Sequence, residues 1–285
     1  FIDIQAQYQA YKESIDQRMK QVMDHGRFIM GPEVSEIESV LADYLGVQHC
    51  ITTASGTDSL EIALRALEIG AGDEVITVPF TWISTAEVIA QVGATPVFID
   101  IEASTYNMDV DQLESAITSR TKAIMPVSLF GQMPDLERIN AIAAQHGIPV
   151  IEDAAQSFGG SIRGKKVGMF GDVSATSFYP AKPLGCYGDG GAIFTNDDNL
   201  AEDCKAIRIH GTKSDKYNSE MIGLNGRLDS IQAAVLLEKL TIFDEELDSR
   251  NQVDAFYRQY LNNAQYHPKD YQSAQIGRAV QQECR

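Results

Sequence analysis

The chain is poor in the features that would commit it to metal, membrane or nucleic-acid work. Its four cysteines, Cys50, Cys186, Cys204 and Cys284, lie far apart and form no CxxC pair. That excludes a zinc ribbon or a disulfide framework and fits a reducing cytoplasm. The five histidines lack ligand spacing, and His25, His49 and His146 fall at element edges, where structural roles are common. No apolar run approaches the roughly 18 residues needed to span a membrane, and no basic, apolar leader opens the chain, which begins at Phe1. There is no basic stripe: the net charge is −17, which argues against nucleic acid, since neutralising phosphates takes clustered Lys and Arg. Neither GxxxxGK[ST] nor GxGxxG after a strand occurs, so the two common nucleotide fingerprints are absent. Repeats and low-complexity linkers are missing as well.

What is present is alternation. Short β-rich runs fall at 50–53, 74–78, 95–99, 122–127, 148–151, 173–178 and 192–195. Helical patterns separate most of them, at 57–69, 84–92, 111–118, 135–146 and 199–209. Such alternation predicts a mainly parallel seven-stranded sheet with helices on both faces, an α/β fold. Two helices precede it, over 5–24 and from Pro32 to Gly46, the second with proline at its start and glycine past its end. Residues 161–167 read as a hairpin, and 228–240 and 243–260 as closing helices. Residues 1–240 are expected to form the large domain and 241–285 the start of a smaller, truncated one. The tail 272–285 shows no pattern and looks foreign to the fold.

Open parallel sheets bind ligands at the C-terminal ends of their strands. Several polar residues fall there. Gly56 and Thr57 open a helix after the first strand, where free N–H groups suit a phosphate; a plain N-cap would use the same residues. Ser177 ends another strand and offers a second hydroxyl. Trp82, the only tryptophan, follows the second strand and could stack on a planar ring or simply fill core. Asp153 closes an apolar run, where a carboxylate needs a partner to stay charged; a pyridinium N–H would serve, and so would an ion pair or a cap. Gln156 lies three residues on. Glu152 points the other way if the strand continues. Lys182 sits between Pro180 and Pro183 in a stiffened loop. A loop lysine that can shed its proton, with a carboxylate at a strand end, is the pair that pyridoxal phosphate chemistry requires: an amine for the Schiff base and an anion to hold the ring nitrogen protonated.

With these residues in this order, the chain resembles the DegT-type nucleotide-sugar aminotransferases, members of the aspartate-aminotransferase superfamily with the PLP fold type I. The resemblance runs from Phe1 to about Tyr260 and rests on the ordered segments ASGTD (54–58), PFTWIS (79–84), EDAAQSF (152–158), SFYPAKPLGCYGDGG (177–191) and GLNGRLDSIQA (223–233). It implies pyridoxal 5′-phosphate linked to Lys182, with Asp153 on the ring nitrogen. It further implies Gln156 at the ring hydroxyl, Trp82 on the ring face, and Gly56, Thr57 and Ser177 at the phosphate. Asn225 matches a family asparagine that reaches the phosphate of the neighbouring subunit, which implies a homodimer with shared active sites. Dehydrating relatives carry histidine where this chain has Lys182, so amino transfer is implied.

The run Gly-Asp-Gly-Gly resembles enzymes that aminate C3 of the sugar. The lysine segment most resembles those that aminate UDP-2-acetamido-2-deoxy-3-oxo-glucuronate from glutamate, for O-antigen and related surface polysaccharides. Arg227 is a candidate for the anionic substrate, or an ordinary helix-start arginine. His210 has no derivable role. Three alternatives stay open: a C3- or C4-aminotransferase for another nucleotide sugar, a non-catalytic PLP-binding regulator, and a nucleotide-binding domain without PLP.

Overall fold

The computed structural model describes residues 3–213 and 217–260. Seven strands form its centre: β1 (His49–Thr53), β2 (Glu74–Thr77), β3 (Thr95–Phe98), β4 (Thr121–Ile124), β5 (Ile151–Asp153), β8 (Val173–Ser177) and β9 (Gly191–Thr195). The two-residue strands β6 (Ser161–Ile162) and β7 (Lys165–Lys166) make the expected hairpin. One ladder runs β1-β9-β8-β5 and another β3-β2-β4. Parallel bridges Ile124↔Val150 and Val127↔Asp153 join them. The order across the sheet is therefore β1-β9-β8-β5-β4-β2-β3. Only β9 runs antiparallel to its neighbours, β1 and β8.

Two of the expected strands are shorter or displaced. The run 122–127 yields ladder only to Ile124, and 148–151 pairs regularly only from Ile151, so that Asp153 is the last strand residue rather than the first loop residue. Pro126 and Pro149 are the cause. Neither has an N–H to give, but their carbonyls still accept, Pro126 from Asp153 N–H and Pro149 from Ile124 N–H, both at about 3 Å.

The helices are α1 (Ile4–His25), α2 (Pro32–Leu45), α3 (Gly56–Ala66), α4 (Ser84–Gln91), α5 (Leu113–Ala116), α6 (Leu136–His146), α7 (Asp198–Arg208), α8 (Ser230–Leu240) and α9 (Phe243–Tyr260). The expected helix 111–118 is a 3₁₀ turn, Val110–Gln112, running into α5. Period-2 alternation divides the sheet's side chains. Ile51, Val75, Ala123, Ile151, Val173 and Ile193 pack with α3, α4 and α7 on one face. On the other face, Ile76 and Ile124 meet α5 and α6, while Cys50, Ala192 and Phe194 meet α2 and α8. Phe243, 1 % exposed at the start of α9, stacks into this second layer beside Tyr44 and Phe158. No helix among the described residues is long and apolar enough to cross a membrane. The tail 272–285 lies outside the described residues.

Candidate active site

Alternation at the end of β5 decides the geometry. Glu152 turns into the α2/α8 side of the sheet and Asp153 to the opposite side, as the sequence suggests. Glu152 is fully buried, and its Oε2 accepts from Gly168 N–H at 3.0 Å. Burial pushes its carboxyl up to about 7, against hydrogen bonds from the Gly168 and Phe170 backbone. An acid whose native pKa exceeds its unfolded value binds its proton more tightly in the native state. Stability is therefore full below the unfolded pKa and declines as pH rises through the window from 4.5 to about 7. Glu152→Gln, which mimics the neutral acid, should abolish that decline and raise stability above pH 7 by up to about 3 kcal/mol. Urea unfolding at acid and alkaline pH measures it; parallel pH profiles for the two proteins would refute it.

Asp153 is 5 % exposed. Its Oδ2 accepts from the Thr85 hydroxyl at 2.8 Å and its Oδ1 from Ala155 N–H at 3.1 Å. Burial raises its pKa, while Thr85, Ala155 and the charge of Lys182 pull it down. Lys182 feels the same pair from the other side: burial lowers its pKa and Asp153 opposes the drop. Two groups 29 residues apart in sequence thus share one electrostatic environment.

The remaining candidates converge on the same edge of the sheet. Ser55 caps α3 by accepting from Asp58 N–H at 3.0 Å. Gly56, the first helical residue, lies so close to the end of β8 that a Cβ there would stand 2.7 Å from Ser177 Cβ. Only glycine lets the start of α3 and Ser177 meet. The Thr57 hydroxyl donates to Ser84 Oγ at 3.0 Å, tying α3 to the start of α4. Trp82 precedes α4 in the same turn; its carbonyl accepts from Thr85 N–H, and its ring is 68 % exposed. Gln156 is held by its Oε1, which accepts from Phe130 N–H at 2.9 Å.

Asn225 and Arg227 flank Gly226, whose carbonyl accepts from Ala54 N–H at 2.8 Å. This brings the 223–228 segment beside the helix-capping loop of its own chain. Asn225 is exposed, and Arg227 is half-buried with an Nε that meets no hydrogen-bond partner. His210 has φ +63 and leads into Gly211, where a Cβ would strike the Met221 carbonyl. That geometry marks a turn locked by its backbone. The sequence alone gave no sign of Thr85 or Ser84. Thr85 is buried on the inner face of α4.

These residues fit pyridoxal phosphate. A buried carboxylate offers an acceptor for a ring N–H, and a lysine with a lowered pKa offers an amine for an aldehyde. A glycine cradle at a helix start, flanked by Thr57 and Ser177, offers donors to a phosphate. Among the described residues no cluster of His, Cys, Asp and Glu could hold a metal.

The chain is similar to known proteins. The chain is 54 % identical over 257 residues to the UDP-2-acetamido-2-deoxy-3-oxo-D-glucuronate aminotransferase of Pseudomonas aeruginosa, covering 90 % of this chain and 71 % of that one. Among solved structures, a DegT DnrJ EryC1 StrS aminotransferase from Brucella abortus superposes with a TM-score of 0.94 at 47 % identity, over 97 % of this chain and 77 % of that one. DesV of S. venezuelae, solved in complex with a ketimine intermediate, superposes at 0.93 with 38 % identity, over 97 % and 76 %. Residues 9–281 match one family throughout, and on that match the chain belongs to the DegT/DnrJ/EryC1/StrS aminotransferase family.

Proposed function

We propose that the chain is a pyridoxal-phosphate-dependent aminotransferase that moves an amino group from glutamate to C3 of UDP-2-acetamido-2-deoxy-3-oxo-glucuronate. The observation that carries the reading is the pairing of buried Asp153 with half-buried Lys182 at the C-terminal edge of the sheet, in a chain 54 % identical to an enzyme of that name. When bound, the cofactor supplies a reactive aldehyde and a ring that draws electrons.

The chain's own groups do the rest. Asp153, fixed by Thr85 and Ala155, keeps an anionic oxygen ready for the ring N–H. Lys182 would anchor the cofactor, and its amine would take a proton from the donor's Cα as a base and return it as an acid. Burial lowers its pKa against the pull of Asp153, which favours release of its proton. Gly56, Thr57 and Ser177 would hold the phosphate, with Gln156 toward the ring hydroxyl and Trp82 toward the ring. A uronate sugar brings a carboxylate to a chain of net charge −17, and Arg227 with its free Nε is the local cation suited to it.

The working unit in this reading is a homodimer in which Asn225 completes the partner's phosphate site. In this reading residues 1–240 serve as the cofactor domain. The reaction belongs to the cytoplasm and to surface polysaccharide assembly; the free thiols of Cys50, Cys186 and Cys204 suit a reducing compartment.

Incubation with glutamate and a panel of keto-sugar nucleotides, followed by mass analysis, tests the assignment. The expected products are the 3-amino uronate and 2-oxoglutarate. Product from a C4 ketone alone would move the aminated carbon. No product from any sugar, with no glutamate-dependent change in cofactor absorbance, would favour the regulator.

A further inference from the structure

The loop that carries Lys182 has no regular structure of its own between Phe178 and Gly190, yet it must hold one amine in place. Inside the loop, Lys182 N–H donates to Tyr179 carbonyl and Cys186 N–H to Phe178 carbonyl, both at 2.8 Å. Leu184 and Cys186 are buried. Gly185 lies against Pro180 so tightly that a Cβ there would sit 2.5 Å from the Pro180 carbonyl oxygen. The Gly185 carbonyl is thereby turned inward, where an unmatched acceptor is costly.

Its partner comes from α8. Lys239 is 4 % exposed, and its Nζ donates to Gly185 carbonyl at 2.5 Å, with the ring of Tyr187 5.4 Å away. The neighbouring Pro183 carbonyl is approached by Arg250 Nη2 of α9 at 3.4 Å, and Tyr187 N–H donates to Gln232 Oε1 at 2.8 Å. A lysine among the buried residues of α8, beside Ser230, Ala233, Ala234, Val235, Leu236 and Leu237, is an expensive choice. Burial drives its pKa down to about 8, with Glu246 opposing and Arg250 adding to the drop. An apolar residue would serve the core better, so the cation is retained for what it holds.

We propose that Lys239 is a positioning residue for Lys182, acting through the Gly185 carbonyl to fix the orientation of the lysine loop. This rests on the reading of Lys182 as the cofactor-linked amine. Loss of the grip lets the loop relax while the amine, the phosphate cradle and Asp153 all remain. A small displacement of a reacting group is enough to cost about a hundredfold in rate.

The test uses cofactor-loaded enzyme and Lys239→Met. Expected are a kcat lower by about a hundredfold, a KM for the sugar nucleotide within a few-fold of wild type, and a displaced pH midpoint for the cofactor absorbance band. The cofactor should stay covalently attached at Lys182, and the loss of kcat should exceed any loss of folded protein. If the methionine variant does not fold, Lys239→Gln, which keeps a donor without the charge, is measured the same way. An unchanged kcat and band midpoint would overturn the proposal. So would a loss of kcat accounted for wholly by loss of folded, loaded protein. A wild-type enzyme whose cofactor is attached elsewhere would overturn both this proposal and the reading beneath it.

Discussion

Lys182→Ala is expected to abolish turnover, lowering kcat by at least about four orders of magnitude. The lysine is asked to do two jobs that no neighbour can take over. It would hold the cofactor, and its amine would move the proton at the donor's Cα. The Asp153 carboxylate cannot substitute, because it is committed to Thr85 and Ala155 and, with cofactor, to the ring nitrogen. The fold should survive, since Lys182 lies in the loop between β8 and β9. Its depressed pKa means that the buried cation weakens the native state and its removal relieves that. Single-turnover assays with glutamate and near-normal circular dichroism would establish the separation. Near-normal glutamate transamination by the variant would refute the assignment.

Asp153→Asn should lower kcat about a thousandfold while cofactor still binds weakly. The effect on stability should have the opposite sign. Burial raises the Asp153 pKa in the absence of cofactor, so the ionised form is held at a cost that appears as pH climbs above the ordinary carboxylate range. Asparagine avoids that cost. Cofactor-free Asp153→Asn should therefore melt at or above the wild-type temperature near pH 7, and cofactor should stabilise the wild type far more than the variant. Thermal melts with and without pyridoxal phosphate check both halves. A variant that melts well below wild type in the absence of cofactor would mean that Asp153 serves the fold instead of the ring.

The fold was largely legible because its signals are periodic. Strand–helix alternation gave seven strands, nine helices counting the short α5, and layers on both faces. What escaped was local. Pro126 and Pro149 moved two strand ends, and with them Asp153 from a loop into the last ladder position. For the site, order along the chain exposed Lys182, Asp153, Gln156 and the Gly56–Thr57 cap, since strand ends in a parallel sheet collect at one edge. Thr85, Ser84 and Lys239 were hidden. Each acts through a contact made across 27 residues or more, Thr85 to Asp153, Ser84 to Thr57 and Lys239 to Gly185. A threonine, a serine and a lysine inside helices carry no signal in sequence until the neighbouring element is known. Gly56 illustrates the reverse: its glycine was visible, but the reason, the close approach of Ser177, is a tertiary fact.

The most direct measurement is borohydride reduction of the cofactor-loaded protein, followed by peptide mass mapping. Reduction should fix a single pyridoxyl group on the peptide containing Lys182 and leave Lys239 unlabelled. A label on another lysine, or no label in a protein that still transaminates glutamate, would contradict the account.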